Sequence, residues 1–331
     1  CTSGCLASSN VPEPEMLASR RGTVIPPHHP AWKAGVPRDN GAGWDFEDVR
    51  DYYLRVLFGV DPVELRSADL ERYYAVSRVV SGELMLRVFA EWRRKESTCN
   101  GGLVWFWKDL RPGAGWGLLD SEGRPKAAYW YARRAWASQA VYISDEGLDG
   151  VALHVHNESA ETLAGSVEIE LLKQGRHRAA FATRAVVISP FESETFSGEA
   201  MLGSFADITY AYRFGPPRHD VVVARLRGED GKLIYEDAWL PHGMERVRLP
   251  TSELAASANI QPDGRVVLRL LSAVFVQAIS FSVRGYEADD AYFSLCPGSP
   301  REVVFSPVGT PIAFKVHVGA LNLDGTVTVR G

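Results

Sequence analysis

Hydrophobic positions change their period twice along the chain. Up to about residue 44 no period is sustained. Pro12, Pro14, Pro26, Pro27, Pro30 and Pro37 alternate with Gly22, Gly35, Gly41 and Gly43, a density that forbids long regular elements. Helical spacing then sets in. Asp45 reads as an N-cap with Glu47 and Asp48 in the first turn. Phe46, Val49, Tyr53, Val56 and Leu57 form an apolar stripe, and Gly59 stops the helix before a turn at Asp61-Pro62. From about Asp69 to Arg94 a longer helix is predicted. Leu70, Tyr73, Ser77, Val80, Leu84, Val88 and Trp92 recur at steps of three or four, and Arg93, Arg94 and Lys95 suit its C-terminal dipole. Leu103-Val104-Trp105-Phe106-Trp107 is an apolar run of strand length. Arg111 to Gly115 is a loop, and Pro125 opens a helix over Lys126 to Trp136.

After Trp136 the period falls to two. Short runs around residues 150–157, 165–172, 185–188, 208–212 and 220–226 alternate with turn clusters, and Gly228 to Lys232 reads as a hairpin turn. That spacing predicts an antiparallel β-sandwich over residues 141–243. From Met244 a second set, around residues 265–270, 278–283, 302–305 and 325–329, predicts another sandwich over residues 244–331.

Composition narrows the class without naming a function. The 331 residues hold about two or three domains, and 46% hydrophobic with 23% charged residues is ordinary for a globular protein. A net charge of −5 argues against nucleic acid or an anionic membrane as partner. No window approaches the ~20 apolar residues of a membrane span. Cys1, Cys5, Cys99 and Cys296 lack metal spacing and are too few to frame a chain this long with disulfides, so they read as buried thiols in a reducing, cytoplasmic setting. The chain does not begin with Met. It reads as starting inside a longer protein; a lipidated Cys1 is the competing explanation.

Chemistry concentrates between Cys99 and Trp136. The order there is apolar run, polar strand end, glycine loop, helix. In an α/β barrel the C-terminal strand ends carry the site. Trp105 and Trp107 share a face by the two-residue period, and with Asp109 they look like a sugar-binding floor. Trp105 is read as binding rather than core, and Asp109 serves equally as a hydroxyl partner or as a brace of the corner. His28-His29 lack partners at ligand spacing and belong to a packed loop or a cleft wall. His154 and His156 share one strand face and are expected on the solvent side of the sandwich. No cofactor is implied.

Gly102-Leu103-Val104-Trp105, Asp109, Pro112, Trp116, Asp120, Gly123-Arg124-Pro125-Lys126 and Tyr129 resemble the last strand and helix of the catalytic barrel in glycoside hydrolase family 2, closest to its β-mannosidase branch. Lys108 and Arg111 depart from that pattern, standing where the family corner has Asn and Trp. Asp289 to Gly298 resembles a C-terminal immunoglobulin-like signature of the same branch. The resemblance implies an α/β plus all-β chain: the C-terminal part of a (β/α)8 barrel over residues 1–140, then two immunoglobulin-like β-sandwiches. It implies retaining hydrolysis of β-linked sugars, chiefly β-mannosides, with carbohydrate as partner. Retention needs two carboxyl groups ~5–5.5 Å apart. The family's acid/base would lie before Cys1, and its nucleophile Glu aligns with Thr2, so that Glu is either lost or lies before residue 1. Glu13 and Glu15, the nearest acids, read as surface loop acids, and the chain alone is expected to be inactive. The competing class is a non-catalytic carbohydrate-binding or scaffold protein with a degenerate barrel.

Overall fold

The computed structural model describes residues 2–5, 8–19, 26, 27, 29–99, 101–203, 206–210, 215–309 and 312–331. Its contacts form two compact units. One holds Thr2–Arg87, Gly102–Ala135 and Met244–Gly331; the other holds Val88–Gly101 and Trp136–Gly243.

The first unit runs β1 (Thr2–Cys5), α1 (Pro14–Ser19), α2 (Pro30–Lys33), α3 (Phe46–Phe58), α4 (Pro62–Ala68), α5 (Leu70–Arg93, its last turns counted with the other unit), β2 (Gly102–Val104) and α6 (Ala127–Ala135). β1 and β2 pair in parallel, Thr2 opposite Gly102 and Ser3 opposite Leu103. Parallel neighbours require a crossover, which the helices between them supply. Among its described residues the Pro- and Gly-rich start holds β1 and the two short helices α1 and α2.

The predicted cap of α3 is present. Asp45 accepts from the Glu47 amide at 3.0 Å, its own amide donates to Asp48 at 2.9 Å, and Gly59 ends the helix at φ +67°. The predicted inward stripe is a correction. Of the stripe Phe46 is buried, but Tyr53 and Val56 are exposed, and Glu47, Arg50, Asp51, Leu54 and Phe58 are buried in their place. The cause is a buried polar network that turns the helix. Glu47 accepts from Trp32 Nε1 and from Arg50, each at 3.0 Å. Lys33 lies 2.6 Å from its other oxygen. Arg50, fully buried, also donates to Ser9 Oγ and to the Tyr73 hydroxyl, both at 2.7 Å. Asp61-Pro62, predicted as a turn, starts α4: Asp61 caps the Val63 and Glu64 amides at 2.8 and 3.1 Å. Along α5, Tyr73, Val76, Val79 and Val80 are all buried. Gly82 faces the Tyr131 ring of α6, which leaves no room for a Cβ.

Met244–Gly331 carries two four-stranded sheets. One orders Leu254–Ile260, Val266–Ser272, Arg301–Pro307 and Tyr286–Ala288; the other orders Phe293–Leu295, Val276–Val283, Lys315–Gly319 and Val327–Arg330. Leu268, Val303 and Phe305 from the first pack with Ile279, Phe293, Val316 and Val318 from the second.

The second unit has a sheet of Gln139–Asp145, Val151–Asn157 and Glu192–Ser197, and another ordering His177–Ile188, Leu163–Lys173, Val221–Gly228 and Leu233–Trp239. The two meet where the Ile143 amide donates to Asp237 at 2.9 Å and the Tyr142 and Tyr235 rings sit 5.3 Å apart. At the end of α5, Arg93 donates to Glu158, the Tyr142 hydroxyl and the Ala137 carbonyl at 2.8, 2.9 and 2.8 Å, a docking role beyond the predicted dipole match. Residues 208–210 form a turn rather than the predicted strand, since Asp207 accepts from the Tyr210 amide at 2.9 Å; residues 211 and 212 lie outside the described residues. His154 and His156 are both buried, not on the solvent side. The His154 ring nitrogens lie 2.7 Å from Ser144 Oγ and 3.0 Å from Thr195 Oγ1. Burial holds the His156 imidazole down at about 3.

Candidate functional site

β2 ends at Val104, three residues short of the predicted end at Trp107, and leaves both tryptophans outside the strand. The peptide between Trp105 and Phe106 is cis. Beyond it the returning segment takes the backbone acceptors: the Leu118 and Leu119 amides donate to the Phe106 and Trp107 carbonyls at 3.2 and 2.9 Å. Trp105 and Trp107 therefore do not share a face by strand period. Both are nonetheless presented to solvent, 60% and 56% exposed. The Trp107 ring leans on Tyr129 of α6 at 5.9 Å, and Phe106 sits 6.0 Å from Trp105 and 6.3 Å from Trp116.

Asp109 lies beneath this aromatic run, 4% exposed. One carboxylate oxygen accepts from the Gly117 amide at 2.7 Å; the other pairs with Lys126. Lys126 is also buried and spends its remaining donors on the Asn10 and Gly115 carbonyls, at 3.0 and 3.4 Å. Burial pushes the Asp109 carboxyl up and the Lys126 ammonium down, and their attraction offsets part of each shift. Each Asp109 oxygen thus has a partner within the protein. Gly115 and Gly117 are required here because a Cβ on either would run into Asp109. The Asn10 amide side chain fastens the same loop, donating to the Trp116 and Gly117 carbonyls at 2.9 and 3.2 Å.

The Asp-x-x-Gly-Arg-Pro-Lys turn acquires a physical account. Asp120 accepts from the Glu122 and Arg124 amides at 2.8 and 2.9 Å and from Arg124 Nε at 2.8 Å. Gly123 adopts φ +90°, and the turn delivers Lys126 to Asp109. Sequence reasoning missed Lys126 and Asn10 as the corner's fastenings. For Lys126 the signal was present, since it closes that motif; for Asn10 nothing in the local sequence marks it.

A cleft of about 390 Å³ opens beside the corner, lined by Ala34–Arg38 and by Phe106, Asp109, Leu110, Arg111, Gly115 and Trp116. Part of the Pro-rich loop is thus a cleft wall. His29 caps α2, accepting from the Ala31 amide at 3.1 Å, and His28 lies outside the described residues. Glu13 accepts from the Tyr292 hydroxyl at 2.8 Å and lies 3.9 Å from Arg78; burial pushes its carboxyl up. Glu15 accepts from Ser282 Oγ at 2.5 Å. Both loop acids are thus engaged by residues of the Met244–Gly331 part of the same unit. Thr2 opens β1, directly opposite Gly102. Among the described residues no group of three or more His, Cys, Asp or Glu is placed to hold a metal. No described helix is long and apolar enough to cross a membrane. Of the cysteines expected to be buried, Cys296 is buried and Cys99 only half-buried.

No protein-family profile matches the chain. Among curated proteins it is 32% identical over 294 residues to beta-mannosidase B of Aspergillus flavus and 25% identical over 295 residues to that of Aspergillus terreus. Each match covers 82% of this chain and 34% of the relative, so the chain spans about a third of the length of the curated relatives it matches. Among solved structures, beta-D-mannosidase from Dictyoglomus thermophilum superposes with a TM-score of 0.77 at 16% identity, covering 98% of this chain and 38% of that one. The exo-chitosanase of Amycolatopsis orientalis gives 0.70 at 14% identity, covering 98% and 42%.

Proposed function

We propose that this chain, whose resemblance to the C-terminal portion of β-mannosidase-like family 2 glycoside hydrolases holds in sequence and in fold, forms one side of the site of a retaining β-glycosidase acting on β-mannosides. On this proposal β1 and β2 are the last two strands of a (β/α)8 barrel occupying residues 1–140. The two sandwiches, residues 141–243 and 244–331, are immunoglobulin-like. The parallel pairing of β1 with β2, with the corner of Trp105, Trp107 and Asp109 following directly, is the observation that carries it.

The corner supplies binding rather than bond cleavage. The exposed Trp105 and Trp107 rings offer apolar faces to the C–H face of a pyranose, and Asp109 with Lys126 holds the loop that presents them. A retaining enzyme needs a proton donor and a nucleophile about 5–5.5 Å apart. The proposal assigns both carboxylates to the part of the relatives' length that this chain does not span. Glu13 and Glu15 are engaged by Tyr292 and Ser282, which suits bracing of the loop.

Two assays test this. The chain alone, given aryl β-mannoside, β-glucoside, β-galactoside and β-glucuronide at high protein concentration, shows no turnover above buffer. Turnover abolished by Glu13→Gln or Glu15→Gln would place the chemistry in the Pro-rich loop. In a full-length parent, Trp105→Ala lowers kcat/KM by about 1–3 kcal/mol of transition-state binding with the fold retained. A folded variant with unchanged kinetics removes Trp105 from the sugar site.

A further inference from the structure

Resting on the sugar-binding role proposed above, we infer that the cleft between residues 34–38 and 106–116 takes a second sugar unit that carries an anionic group, a carboxylate or a sulfate ester. Its volume, about 390 Å³, lies within the ~300–1,000 Å³ of small-molecule sites. Phe106 and Trp116 give it an aromatic wall, and through Phe106 that wall continues to Trp105 at 6.0 Å. The indole N–H of Trp116 is buried and has no acceptor among the described residues. Gly35 and Gly113 meet backbone to backbone: a Cβ on either would come within 2.7–2.8 Å of the other, so only glycines let the two loops abut here.

The charge in this cleft is one-sided. Asp109 is the acid among its lining residues, and Lys126 neutralises it from beneath. Arg38 and Arg111 both line the cleft and both are exposed. Arg38 directs Nε and Nη2 to the Ala42 carbonyl, which uses donors without cancelling the charge. Neither guanidinium pairs with a carboxylate among the described residues. Arg111 stands where the resembling corner has Trp, so an aromatic contact is exchanged for a planar cation. A guanidinium matches a carboxylate or sulfate through two parallel hydrogen bonds, a geometry that a neutral hydroxyl does not reward. An aromatic wall, an unpaired indole donor and two guanidiniums unmatched by acids fit a ring with an anionic substituent better than a neutral hexose.

The test compares methyl β-glucuronide, methyl β-glucoside 6-sulfate and methyl β-glucoside as probes of the isotope-labelled chain by heteronuclear NMR. Charged probes shift the amides of residues 34–38 and 109–116 and bind about fivefold or more tightly than the neutral one at low salt. The carboxylate and sulfate arms say which anion is preferred. The preference collapses in about 0.5 M salt. It is also lost in Arg111→Ala and reduced in Arg38→Ala; both side chains are exposed, and unchanged spectra elsewhere verify folding. Equal affinity for charged and neutral probes, silence of the cleft amides with every probe, or an Arg111→Ala chain that keeps the preference would each overturn the inference. A neutral mannoside that shifts only amides near Trp105 and Trp107 leaves the proposed function standing while the cleft inference fails. Charged-probe binding at the cleft, with no glycoside hydrolysis by a full-length parent, does the reverse.

Discussion

Replacing Lys126 by Met tests whether the corner depends on its buried ion pair. The side chains of Lys126 and Asp109 are 1% and 3% exposed, so neither can turn to water when its partner is removed. In Lys126→Met the Asp109 carboxylate keeps one hydrogen bond, from the Gly117 amide, and loses its counter-charge. The Asn10 and Gly115 carbonyls lose a donor as well. Breaking a buried pair from one side costs about 3–5 kcal/mol, whereas removing both charges costs much less. Lys126→Met should therefore destabilise by about 3–5 kcal/mol, and adding Asp109→Asn should recover about half of that loss, because an amide oxygen still accepts from Gly117 without carrying charge. Urea denaturation followed by tryptophan emission reads this unit well, since it holds Trp32, Trp44, Trp105, Trp107, Trp116 and Trp130 of the nine tryptophans. Additive effects of the two substitutions, or a loss under about 1 kcal/mol for Lys126→Met, would refute the reasoning.

Three further outcomes are expected. Glu47 is held down at about 2 by Arg50 and Lys33 against the opposing effect of burial, so its contribution, about 3 kcal/mol, is complete above pH 4.5 and is lost as pH falls towards 2; Glu47→Gln should flatten that limb of a stability–pH curve. Burial holds His156 at about 3 instead of 6.5, so the second unit should lose stability as pH falls from 6.5 towards 3, and a His156→Leu chain whose acid limb is unchanged would exclude this cause. Gly82→Ala drives a methyl into the Tyr131 ring and should cost about 1–3 kcal/mol in thermal or urea unfolding, while a Tyr131→Leu background should relieve part of it.

Local sequence determined the elements whose ends are set by local chemistry. The α3 cap at Asp45 and stop at Gly59, the full length of α5, the proline before α6 and the turn at Gly228–Lys232 all follow from residues within a few positions of one another. Motif order likewise carried the resemblance to β-mannosidase-like family 2 glycoside hydrolases. Tertiary structure decided which faces turn inward. The apolar stripe of α3 was outbid by a charged network, because Glu47 and Arg50 find partners in Trp32, Lys33, Ser9 and Tyr73, and a buried charge that is fully partnered is tolerated where an unpaired one is not. His154 and His156 were misplaced for a related reason: period two assigns residues to a face but does not say which face a second sheet covers. At the corner, Trp105 and Trp107 owe their exposure to a returning segment that takes the Phe106 and Trp107 carbonyls rather than to strand alternation. Asp109 is paired because Lys126, 17 positions on, folds back to meet it, and Asn10, 106 positions before Trp116, ties the loop down. Pairings across such separations depend on the closed fold, which no local pattern encodes.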